Sequence, residues 1–147
     1  MKINRVTVTG FGPFRDTETA DFDAFDDDGI FLITGCTGAG KTSILDAVTF
    51  ALFGTVPRYA GQAGNAVRCD RLAADKPCHV ELEFSVGERR FKVTRAPAWE
   101  RPKQRGTGTT SAPARAELDE LLDGRWERLQ TRAVDTSRQI NDLIRMS

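Results

Sequence analysis

Nine consecutive residues carry the chemistry of this 147-residue chain: Gly35-Cys36-Thr37-Gly38-Ala39-Gly40-Lys41-Thr42-Ser43. Glycines at this spacing let a backbone curl where a Cβ would forbid it. The N–H groups of such a curl point inward and form a nest for an anion. A helix starting at the last glycine adds roughly half a positive charge at its amino end, aimed at the same place. The lysine that follows would reach the β- and γ-phosphates of a nucleotide, and the hydroxyl after it would ligate Mg²⁺. This assigns residues 35–43 to holding ATP, Lys41 to the catalytic charge and Thr42 to the metal. The competing reading is a glycine-rich turn that matches by accident.

The elements around the loop decide between the two. Gly29-Ile30-Phe31-Leu32-Ile33-Thr34 reads as a strand feeding the loop, and Ile44, Leu45, Val48, Ala51 and Leu52 fall on one helical face after it. Gly54 and Pro57 supply the stop. Strand, glycine loop and helix is the setting the motif requires. Upstream, Val6 and Val8 alternate with polar neighbours in Lys2–Thr9, a first strand; Gly10-Phe11-Gly12-Pro13-Phe14 breaks it, and Thr19–Phe22 suggests a short return strand. An acidic turn through Asp26-Asp27-Asp28-Gly29 and a small-residue loop from Thr55 to Ala66 complete this half.

Downstream, Val80, Leu82, Phe84 and Val86 alternate strictly, Gly87-Glu88 fits a two-residue turn, and Phe91 and Val93 continue the alternation on a partner strand. A second hairpin runs from Ala116–Leu122 through Asp123-Gly124 to Trp126–Leu129. Between them, residues 96–114 are rich in Pro, Gly, Thr and bases and read as a mobile loop. Ile140, Leu143 and Ile144 suggest a terminal helix. The fold class is α/β: one domain over 1–147, a mixed sheet with a phosphate-loop helix and antiparallel hairpins. A small-molecule kinase would continue into further βαβ units; hairpins after the helix argue instead for ATPase heads with an antiparallel layer flanking the nucleotide.

Composition bounds the rest. Hydrophobic residues make up 39% and charged residues 29%, and no apolar run approaches the roughly 20 residues of a membrane span. Met1-Lys2-Ile3-Asn4-Arg5 is no signal peptide, so the expected location is cytoplasmic, without membrane attachment. Three cysteines without CxxC spacing and a single histidine, His79, exclude zinc and Ser-His-Asp chemistry. Cys36 is open to reading as a reactive thiol or as an inert loop residue. Net charge is zero, yet Asp16–Asp28 holds seven acids and no base, while Arg89–Arg105 holds seven bases against Glu100. Such segregation either steers a polyanion or marks solvated faces.

The combined pattern resembles the SMC-like ABC ATPases of DNA maintenance. Phe11…Phe14, Asp21-Phe22, the phosphate loop and the run Ile44–Gly54 carry this likeness. Phe11-Gly12-Pro13-Phe14, Phe31–Gly35, Arg68-Cys69-Asp70 and above all Glu100-Arg101-Pro102-Lys103-Gln104-Arg105-Gly106-Thr107-Gly108 narrow it to the SbcC family. That resemblance covers essentially the whole chain and implies the N-terminal lobe of an ABC-type ATPase head. It implies ATP and Mg²⁺ as ligands. As partners it implies the SbcD nuclease, a C-terminal lobe of the same head, a second head in a dimer, and double-stranded DNA ends. Cys36 and Cys69 depart from the family's common proline and serine.

The glutamine loop, the Walker B strand ending in Asp-Glu and the signature motif of that family have no counterpart here, so the expectation is a lobe without ATPase activity of its own. Val56-Pro57-Arg58-Tyr59 and Arg15 are further candidates for nucleotide contact. Asp46 reads as a helix-surface or capping residue. Arg101, Lys103 and Arg105 suit DNA phosphates or, equally, a solvated loop supporting a partner. The rival readings are a RecF- or RecN-like lobe and a non-catalytic DNA- or partner-binding fragment.

Overall fold

Alternation of apolar and polar side chains builds one six-stranded sheet. The computed structural model describes residues 1–28, 32–62 and 64–145. Its regular elements are β1 (Lys2–Phe11), β2 (Phe14–Asp21), α1 (Lys41–Phe53), β3 (His79–Val86), β4 (Arg89–Ala96), β5 (Trp99–Pro102), β6 (Thr109–Ala112), β7 (Arg115–Leu122), β8 (Arg125–Gln130) and α2 (Ala133–Arg145), with short 3-10 turns at Asp23–Asp28, Pro57–Tyr59 and Gly64–Val67. The strand order is β2-β1-β3-β4-β7-β8, and β5 and β6 form a separate two-stranded ribbon.

Every pairing among these strands is antiparallel. The mixed sheet expected from sequence is therefore not found among the described residues. Three of the ladder's contacts are tight hairpins, which can only be antiparallel, whereas a parallel pair needs a crossover. The one crossover helix, α1, leads from β2 to β3, and both of those strands flank β1 without touching each other. Of the strand expected before the phosphate loop, Gly29, Ile30 and Phe31 lie outside the described residues; positions 32–36 have no regular secondary structure, and Leu32 is 83% exposed.

One face of the sheet is the core. Val6 and Val8, Val80, Leu82 and Phe84, Phe91 and Val93, and Leu118 are buried against α1 and α2. Phe84 stacks on Phe91 with ring centroids 5.5 Å apart, and Phe11 meets Phe50 at 5.6 Å. The buried face of α1 is Ala47, Phe50, Ala51 and Leu52, while Leu45, assigned to that face from sequence, is exposed. Apolar residues lie all round this helix, so its periodicity does not single out the sheet-facing side.

The opposite face of the sheet is laced with ion pairs, one of which links the two charge runs. Arg90 pairs with Glu83 at 2.6 Å and with Asp23 at 2.9 Å, and Arg5 pairs with Asp21 at 2.8 Å. Lys92 stands 4.6 Å from the Trp126 ring centroid, and Arg128 holds Glu117 and Asp119. Arg90 with Asp23 thus links the two runs, and the pairs Arg5–Asp21, Arg90–Glu83 and Arg89–Glu120 join them to charges elsewhere in the chain. The segment 96–114 is also more regular than the expected loop: β5 and β6 pair from Trp99↔Ala112 to Pro102↔Thr109. No helix of the described residues is long and apolar enough to cross a membrane.

Candidate functional site

The phosphate loop closes on its own lysine. Lys41 Nζ donates to the carbonyl oxygens of Gly35 at 2.6 Å and Cys36 at 2.8 Å, so its ammonium lies across the loop's mouth. Gly38 and Gly40 sit at φ +84° and +87°, in the left-handed region that favours glycine. A tight turn, Ala39 N–H to Cys36 O at 3.1 Å, precedes the first helical bond, Ile44 N–H to Gly40 O at 3.2 Å.

The amino end of α1 is open for an anion. Gly40 is its N-cap and gives no side-chain cap, and no acid stands in the first turn. The leading N–H groups, which elsewhere a Ser or Asp would satisfy, are left to a ligand. Thr42 is exposed at this end, with its hydroxyl available to a cation. No side-chain atom comes within 4 Å of a Cβ built on Gly38, so the cradle has room. Ammonium, hydroxyl and uncapped helix end together form a donor set that fits a triphosphate and Mg²⁺.

A second layer, unread in the sequence, fixes the loop from behind. A Cβ on Gly40 would meet Phe14 Cζ at 2.6 Å and Pro13 Cγ at 3.2 Å, so the first turn of the chain packs directly on the loop's last glycine. Arg71 in turn donates to the Pro13 carbonyl at 2.7 Å. Gly12 N–H bonds Val67 O, and Cys69 N–H bonds Gly10 O, both at 2.8 Å. Cys69 and Cys78 are buried, and burial pushes the Cys78 thiol up to about 12; Cys36 is an exposed free cysteine.

The other candidates have partners elsewhere. Arg15 bonds Asp16, which holds that carboxyl below its usual range. Arg58 pairs with Asp46 at 3.3 Å. Val56 and Tyr59 line a cavity with Phe50 and Gly54 at the carboxyl end of α1. There Arg95, from β4, is buried and donates from Nε to Ala51 O at 2.9 Å and from Nη2 to Leu52 O at 3.3 Å. Its position continues the core alternation Phe91, Val93, Arg95, the sequence signal that would have found it.

Arg101, Lys103 and Arg105 are all exposed on the β5–β6 ribbon. At its base the Arg68 guanidinium lies 4.2 Å from the Trp99 ring centroid, while donating to Lys76 O and Ala73 O. The remaining bases of that sequence run are engaged: Arg89 with Glu120, Arg90 with Glu83 and Asp23, Lys92 on Trp126, and Arg95 in the interior.

Known proteins resemble this chain over most of its length. A family described as an AAA domain matches residues 5–147. The C subunit of the SbcCD nuclease from Vibrio cholerae serotype O1 is 40% identical over 118 residues, covering 80% of this chain and 12% of the relative. Its namesake from Staphylococcus aureus strain JH9 is 33% identical over 144 residues, 98% of this chain and 14% of the relative. The chain therefore spans about one seventh or less of the length of these curated relatives.

Proposed function

Because the chain belongs to the AAA-domain family and is homologous over most of its length to the C subunits of SbcCD nucleases, we propose that it binds ATP with Mg²⁺ as the N-terminal lobe of an SbcC-type ATPase head. The observation that carries this reading is Lys41 folded across a glycine loop at an uncapped helix end. Its ammonium would exchange two carbonyl partners for phosphate oxygens, a stronger, charge-assisted pairing. Thr42 would hold the metal, and the N–H groups of α1 would hold the phosphate chain.

Bound ATP–Mg²⁺ supplies the transferable γ-phosphoryl group and neutralises its charge. The chain's own residues position and stabilise; a carboxylate to orient water must come from a second lobe. Leu32, Leu45 and Phe53 are 83%, 60% and 48% exposed, apolar side chains that such a lobe would cover. In the complete cytoplasmic protein the head would pair with a second head across the nucleotide and couple ATP binding and hydrolysis to an SbcD-type nuclease on double-stranded DNA ends.

Titration with a fluorescent ATP analogue tests the reading. Lys41→Ala should weaken binding by about tenfold or more, the scale of a lost hydrogen bond to a charged group. Thr42→Ala should weaken mainly the Mg²⁺-dependent part. Unchanged affinity in Lys41→Ala would remove the assignment.

A further inference from the structure

At the carboxyl end of α1, remote in the fold from the phosphate loop's end of the helix, lies a cavity of about 290 Å³. A water molecule occupies roughly 30 Å³ of liquid, so the space suits a small organic molecule on the order of ten non-hydrogen atoms. Its walls include six alanines, among them Ala60, Ala98, Ala114 and Ala133. Short methyl walls leave the volume open where longer side chains would fill it. These methyl groups hold an apolar body; Thr55, Tyr59 and Gln62 are the neutral polar side chains among the walls.

Two cations line it, the buried Arg95 and the exposed Arg115, and orientation comes from the buried one. Arg95 lines the cavity and is 6% exposed. Nε and Nη2 donate to Ala51 O, Leu52 O and Ser137 Oγ, whereas Nη1 donates to nothing among the described residues. Gly54 keeps the space beside Nη1 clear, since a Cβ there would lie 2.8 Å from it. Among the described residues no carboxylate pairs with this guanidinium; its only negative neighbours there are the partial charges of the last carbonyls of α1. A buried guanidinium with an uncommitted N–H beside an apolar cavity is half of an ion pair, and a carboxylate is the group that matches its geometry.

We propose that this cavity is a binding site for a small monocarboxylate with an apolar body, anchored on Arg95. The site is separate from the nucleotide loop and does not rest on the ATP reading. Occupancy would tie β4, the end of α1 and the start of α2 together through one ligand, because Arg95 already bonds both helices.

The probe is phenylacetate, with phenylacetamide as its uncharged counterpart, titrated into the 147-residue chain carrying ¹³C-labelled alanine methyls. Saturable shifts at Ala60, Ala98, Ala114 and Ala133 are expected with the acid, and at least about tenfold weaker binding with the amide, the factor for a charge-assisted bond. Ala114→Leu fills the cavity without touching Arg95 and should abolish the shifts while leaving affinity for the ATP analogue unchanged; Ala98→Leu serves the same purpose if Ala114→Leu does not fold. Arg95→Lys should weaken the acid and leave the amide as it was. Absence of saturable shifts, equal affinity for acid and amide, or shifts that persist in the filled cavity would each overturn the proposal. A loss of ATP binding in Lys41→Ala with phenylacetate shifts intact would show that the two sites stand or fall separately.

Discussion

The edge of the Phe14 ring stands 2.6 Å from where the Cβ of residue 40 would be. Only glycine fits between that ring and the start of α1, and φ +87° favours glycine there independently. Gly40→Ala should therefore destabilise the chain by about 1–3 kcal/mol, the usual cost of a forced left-handed residue, and lower nucleotide affinity as well. Adding Phe14→Leu should restore part of the steric loss and none of the dihedral loss. Urea unfolding of the two variants separates the terms; an unaltered midpoint for Gly40→Ala would mean that the turn does not set the loop.

Neutralising Arg101, Lys103 and Arg105 together in the complete protein should lower DNA affinity similarly for all sequences. The side chains are exposed on a ribbon whose only acid is Glu100, so they suit phosphates and not base edges. The slope of log affinity against log salt should flatten by about one unit per lost contact. Unaltered affinity and slope would reassign the ribbon to a partner protein.

Residues 1–147 alone should show no significant ATP turnover. Adding the C-terminal lobe of the same gene in trans should stabilise the fold, raise nucleotide affinity and restore hydrolysis. The exposed Leu32, Leu45 and Phe53 would be covered in that assembly. Phosphate release is the measurement, with Lys41→Ala as the control. Turnover by the lone chain that Lys41→Ala abolishes would make it a complete enzyme.

Stability should fall in acid through Glu120. Bidentate bonds from Arg89, at 2.6 and 2.9 Å, hold its carboxyl below the ordinary value of 4.5 despite burial. The unfolded chain then binds the proton more readily, so this contribution is present above the ordinary value and lost as pH falls through the lower folded one. Glu120→Gln should remove that segment of the pH dependence. Urea midpoints across the acid range would show it; parallel curves for both proteins would exclude Glu120 as the group responsible.

Legibility in the sequence followed the range of the interaction. The hairpins β3–β4 and β7–β8 were readable because alternation and turn residues are local, and Asp123 and Gly124 do take positive φ at 50° and 76°. The helix α1 and its Gly54 stop, at φ 76°, were readable for the same reason. The β5–β6 ribbon was not, since Trp99–Pro102 and Thr109–Ala112 carry no apolar alternation and enclose glycines. Nor was the role of Arg95, whose carbonyl partner Ala51 lies 44 residues away. The phosphate loop could be read as residues, whereas the Phe14 wall and the Arg71 strut behind it depend on a turn far upstream and a loop far downstream meeting at one point.

The strand order has a kinetic consequence. β1 and β3 lie side by side, so everything between Phe11 and His79, including β2, the phosphate loop and α1, is a single long excursion between two neighbours. Closing that excursion costs more chain entropy than closing either of the tight hairpins β3–β4 and β7–β8. The meander of β3, β4, β7 and β8 can thus collapse first from contacts near in sequence, with β1 zipping onto it afterwards. The anion cradle is assembled in that late step, and recovery of nucleotide affinity during refolding should lag behind recovery of the sheet.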